Sequence, residues 1–165
     1  MAAPSDFVAL ILTHGRADGV VTYNTLRKRG YTGPIRLVID DEDDQAEEYY
    51  KKYPNEVVQF HKAGVECDTF DNRKERRVIL FARNAAFDIA EQLGYRYFIE
   101  LDDDYREFSF RFNKELEFHK EQAYCLDDIF TCMVDFLKDC PDVATIAMAQ
   151  GGDFVGGGRV VKQTK

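Results

Sequence analysis

Tryptophan is absent, prolines number only four, and the apolar run Phe7 to Leu12 falls short of a membrane span or a signal h-region. The residues before it, MAAPSD, lack a basic n-region, so the chain reads as soluble and cytoplasmic, with no membrane partner. The four cysteines, Cys67, Cys125, Cys132 and Cys140, form no C-x-x-C pair, and no histidine pair stands at zinc-ligand spacing. They are expected to be buried or half-buried free thiols in a reducing compartment. A basic excess is missing too: the net charge is −8, which argues against a broad phosphate-backbone contact surface. The cluster Arg73, Lys74, Arg76 and Arg77 is the local exception. No internal repeat, P-loop or G-x-G-x-x-G fingerprint occurs, and no Ser-His-Asp or Cys-His arrangement can be drawn from spacing. His61 and His119 read as solvated.

At 165 residues the chain is long enough for one domain with a real core. Phe7 to Thr13 reads as a buried strand, followed by a polar turn at His14-Gly15-Arg16. Asp18 is the expected N-cap of a helix ending at Gly30. Ile35 to Ile39 is a second strand running into the acidic stretch Asp40 to Asp44. A helix from about Asp44 to Tyr53 should turn Ala46, Tyr49, Tyr50 and Tyr53 inward, and Val57 to Phe60 is a short third strand. Residues 62 to 77 read as a long loop. The stripe Val78, Ala82, Ala85, Ala86, Ile89 and Leu93 predicts a helix stopped by Gly94. Phe108 to Phe112 alternates as a half-buried strand, and 113 to 122 reads as a turn or hairpin. Leu126 to Leu137 is amphipathic, ended at Cys140-Pro141; Val143 to Ala149 is expected as a last core strand before the glycine-rich loop 151 to 158. Strands alternating with helices predict an α/β layered fold with a mostly parallel sheet, whose ligands bind at the carboxyl ends of the strands.

The segment Tyr97 to Tyr105, YFIELDDDY, is where that rule bites. A buried strand leads directly into Asp102, Asp103 and Asp104, whose carboxylates repel by about 1 kcal/mol per close pair in water and more at a half-buried strand end. A hard divalent cation that also holds a diphosphate would relieve this; a solvated acidic turn is the plainer alternative. His14 with Arg16, Asp40 with Asp41, and Asp102 to Asp104 each follow a strand, so all should gather on one edge. Asp43 and Asp44 fit a helix N-terminus, while Asp40 belongs to the strand end. Arg83 and Asn84 lie on the polar side of the helix leading into the aspartates, within reach of a phosphate. An EF-hand reading fails, because Gln45 or Glu107 falls where the loop needs glycine.

Strand-THGR, strand-DD, and ARN on a helix leading through GYRYFIELDDD together resemble a nucleotide-sugar glycosyltransferase of the GT-A fold. FARNAAFDIA, LDDDY-x-x-F-x-FR and AQGGDFVGG extend the resemblance to the phage-encoded TET-associated glycosyltransferases, over about residues 7 to 158. It implies a single nucleotide-sugar-binding domain of Rossmann-like layers, a nucleotide-sugar donor such as a UDP-sugar, and hydroxymethylated pyrimidines in DNA as acceptor. Thr13 and Arg16 would border the nucleotide, Asp40 read its base, and Arg83 with Asn84 approach the diphosphate. Asp102 or Asp103 would contact the ribose, and Asp104, with Asp102, would bind Mn²⁺ or Mg²⁺. Gln150 would meet the donor, and Asp153 is the catalytic candidate beside the transferred sugar. GT-A enzymes continue into an acceptor-binding half, so these residues are expected to form the donor-binding part, with a catalytic base supplied from elsewhere. A sugar-phosphate nucleotidyltransferase would need a G-x-x-T-R loop that THGRADG does not supply. A nucleotide- or metal-binding module without transfer activity is the other alternative.

Overall fold

The computed structural model describes residues 2–67 and 79–149. Strands β1 (Phe7–Leu12), β2 (Ile35–Asp40), β3 (Val57–Phe60) and β4 (Tyr97–Asp102) form one sheet in the order β3-β2-β1-β4, with all pairings parallel. Every residue of β1 is buried, as a central strand covered on both faces requires. Alternation along the strands then divides the core in two. Phe7, Ala9 and Ile11 join Ile35, Leu37 and Ile39 under helices α1 (Val21–Lys28), α2 (Ala46–Lys52) and α4 (Leu126–Asp139). Val8, Leu10 and Leu12 face α3 (Leu80–Gln92) through Phe81, Ala85, Ala86 and Ile89. The fold is α/β, three layers deep, with helices on both sides of the sheet. Away from it, β5 (Ser109–Phe112) and β6 (Phe118–Gln122) make the hairpin that the 108–122 region foreshadowed.

Several local expectations need correction. Asp18 does not cap α1; the helix begins at Val21 with no side-chain cap, and Asp18 pairs with Lys52 instead. The chain reaches that start through a tight turn, in which Arg16 O accepts from Gly19 N at 2.7 Å. Tyr50 is 42 % exposed while Tyr49 is wholly buried, because only one of two adjacent tyrosines can face the sheet from so short a helix. Cys132 is exposed, on the outer side of α4. Val143 to Ala149 joins no ladder, and its residues are half-buried or exposed. Its apolar alternation is satisfied only in part, by contacts such as Met148 against the first core. The basic cluster at 73 to 77 and the glycine loop at 151 to 158 lie outside the described residues.

Candidate functional site at the carboxyl edge of the sheet

In the order β3-β2-β1-β4, the chain leaves β1 toward β2 on one side and reaches β4 on the other. The crevice between the carboxyl ends of β1 and β4 is therefore the topological switch point, the usual ligand position in open α/β sheets. Leu12 is in register with Asp102, so Thr13 and Asp103 leave their strands side by side.

Asp103 is buried and anchors this junction. Thr13 Oγ1 donates to its Oδ2 at 2.7 Å, and Arg16 Nη1 meets its Oδ1 at 3.0 Å. Since Thr13 spends its one proton on Asp103, the Tyr49 hydroxyl 2.7 Å away donates to Thr13, and itself accepts from Arg16 N at 2.8 Å. Burial raises the pKa of the Tyr49 phenol, keeping that proton in place. Gly15 takes a positive φ of 64°, which lets the THGR turn double back. Its N–H donates to Asp43 Oδ2 at 2.8 Å, and Gln45 clamps the turn at both ends through Gly15 O and Ala17 N.

Thr22 ties α1 to the acidic turn. Its hydroxyl donates to Asp102 O at 2.6 Å and accepts from Tyr105 N at 2.8 Å, while its own N–H donates to Asp103 O at 3.0 Å. On the opposite face of β4, Arg83 reaches from α3 to Asp102 Oδ1 at 2.9 Å and Glu100 Oε2 at 3.2 Å. Burial raises the Glu100 pKa, and the neighbouring Arg83 charge opposes the rise. Asp104 is the exposed member of the trio and has no hydrogen-bond or ion-pair partner among the described residues. It opens, with Arg83, Asn84, Glu100 and Tyr105, onto a cavity of about 1080 Å³ along the outer edge of β4. Asn84 turns partly away, donating to Glu66 O at 2.8 Å.

At the end of β2, Asp40 is nearly enclosed. Its Oδ2 faces His14 Nδ1 at 2.9 Å, and its Oδ1 takes Lys62 Nζ at 3.0 Å and Glu42 N at 2.9 Å. His61, read as solvated, has a largely exposed ring that still meets Asp41 Oδ2 at 3.1 Å.

Thr13, Arg16, Asp102 and Asp103 thus converge directly, and Arg83 joins them through Asp102. Asp40 stands one strand away, linked through the THGR turn. Gln150 and Asp153 lie outside the described residues. Tyr49, Gln45, Asp43, Thr22, Glu100 and Lys62 also build this edge without being among the expected site residues; Tyr49 is expected on an inward helix face and Asp43 at a helix N-terminus. Glu100 alone carried a signal, as a charge within an apolar strand.

Among the described residues no three His, Cys, Asp or Glu side chains group as a ready metal cage. A cation held by one or two carboxylates and completed by substrate phosphates needs no such cage, and Asp104 with the half-exposed Asp102 fits that donor set. No helix among the described residues is long and apolar enough to cross a membrane.

No curated protein and no solved structure matches the chain. A family model described as TET-Associated Glycosyltransferase matches residues 7–165. Nearly the whole chain, including every strand end assembled here, falls within that match; the chain belongs to the TET-associated glycosyltransferase family.

Proposed function

We propose that this glycosyltransferase binds a nucleoside diphosphate sugar across the carboxyl end of β4, from the crevice with β1 to the cavity on the strand's outer edge, with Mn²⁺ or Mg²⁺, and transfers the sugar to hydroxymethylated pyrimidines in DNA. The observation that carries this reading is the division of labour within Asp102-Asp103-Asp104. Asp103 is consumed in holding Thr13 and Arg16, Asp102 holds Arg83, and Asp104 is left open to the cavity.

Arg16, its side chain 61 % exposed, has one nitrogen on Asp103 and further N–H groups to offer a nucleotide. Arg83, steadied by two carboxylates, presents a fixed guanidinium toward the diphosphate. In transfer, an acceptor hydroxyl oxygen bonds to the anomeric carbon as the bond from that carbon to the diphosphate oxygen breaks. The electron pair leaves with the nucleoside diphosphate, and the acceptor proton goes to a base expected from outside these residues, with Asp153 the catalytic candidate beside the transferred sugar. A bound divalent cation would supply Lewis-acid stabilisation to the departing diphosphate. The family description, with its association to TET, supports the modified-pyrimidine acceptor.

Calorimetric titration of UDP and other nucleoside diphosphates, with Mn²⁺ and again with EDTA, tests this. Metal-dependent binding is expected, lost in Asp104→Asn while the thermal midpoint is retained. Unchanged binding in that variant would remove the metal assignment, and binding without transfer to hydroxymethylated DNA would favour a module that only binds.

A further inference from the structure

Lys62 is a buried ammonium, which folded proteins tolerate when it is paired. Its partner is Asp40 at 3.0 Å, with Glu42 at 3.5 Å and the Phe81 ring beneath it at 6.0 Å. Lys62 thereby fixes one oxygen of Asp40 behind the THGR turn. The other Asp40 oxygen faces His14 Nδ1 at 2.9 Å. A carboxylate only accepts, so Nδ1 donates, and in that neutral tautomer Nε2 is a bare acceptor. Nε2 has no partner among the described residues, and the side chain is 47 % exposed on the edge that carries Thr13 and Arg16.

We infer that His14 reads the donor's base, with Asp40 and Lys62 as its positioning residues, selecting bases that carry a ring N–H beside a carbonyl. Uracil, thymine and guanine have that group. Cytosine and adenine turn a lone pair to the same place and would oppose Nε2. The inference rests on the donor-site reading above and moves base recognition outward from Asp40, whose side chain is almost fully buried and whose oxygens are already engaged.

Asp43 Oδ2 lies 3.7 Å from Nδ1, with its two oxygens engaged by Gly15 N and Gln45 N. Arg16, on the same turn, is drawn off to Asp103.

The test is titration of UDP, TDP, GDP, CDP and ADP with Mn²⁺ into the full chain, His14→Phe and Lys62→Met. At least one of UDP, TDP and GDP should bind about tenfold or more tighter than CDP and ADP. His14→Phe should collapse that ratio. Lys62→Met, which frees one Asp40 oxygen, should weaken the preference while binding of the diphosphates overall is retained. Wild-type CDP or ADP binding as tight as UDP, or a preference surviving in His14→Phe, overturns the inference while the donor reading stands. A preference unchanged in Lys62→Met overturns its positioning role. Binding of no nucleotide at all overturns both readings.

Discussion

Asp103 and Asp104 are neighbours in the chain, yet one is 5 % exposed and doubly bonded while the other is open to solvent. The difference arises because β4 ends at Asp102, so the next carboxylate points back toward β1 and the one after clears the sheet. Removing the buried one strands the Thr13 hydroxyl and the Arg16 guanidinium. Asp103→Ala should destabilise the fold by about 2 kcal/mol, read by denaturant unfolding. A loss near zero would mean that water replaces Asp103 without cost. The importance of the triplet was legible in sequence, but the fate of each member was not, because it turns on a one-residue choice of strand end. Lys62 was invisible for a different reason. It sits in a polar stretch without periodicity, and only the pairing of Asp40 with Phe60 brings residue 62 beside the carboxylate.

Elements were read well where a strong period coincided with a stop. β1, β2, β4, α3 and α4 fall near their expected positions, because buried runs and apolar stripes leave little choice. Starts are less legible: none of the α-helices among the described residues has a side-chain N-cap hydrogen bond, so the usual punctuation misleads, as at Asp18. Stops at Gly30 and Gly94 were legible, and both have positive φ, 88° and 80°. They differ in surroundings. A Cβ on Gly30 would lie 2.5 Å from Tyr124 O, whereas one on Gly94 would meet nothing within 4 Å. Gly94→Ala should cost about 1–2 kcal/mol for the backbone alone. Gly30→Ala should cost clearly more, since the chain before α4 must shift. Equal thermal midpoints for the two variants would contradict this packing of α1 against that segment.

At the scale of the molecule, the site is a by-product of layer order. Arg83 belongs to one helical layer and Thr22 to the other, and the sheet between them carries both to the same edge. Sequence could place each residue at a strand or helix end, yet not say which layer an element joins. The layer containing α4 rests on Phe130, fully buried between Phe7 and Tyr31 with ring centroids 5.2 Å from each. Phe130→Ala should cost about 3–5 kcal/mol, measured by denaturant midpoint, because two neighbouring rings lose a face at once. A cost below 1 kcal/mol would mean that α4 packs elsewhere.

The hydroxyl of Thr22, bonded to Asp102 on one side and Tyr105 on the other, has a mechanical consequence. The acidic turn is riveted to the first turn of α1, so it can neither flex nor drift without taking a helix along. Substitutions that leave this rivet in place must then reshape the site away from the turn, on the cavity side.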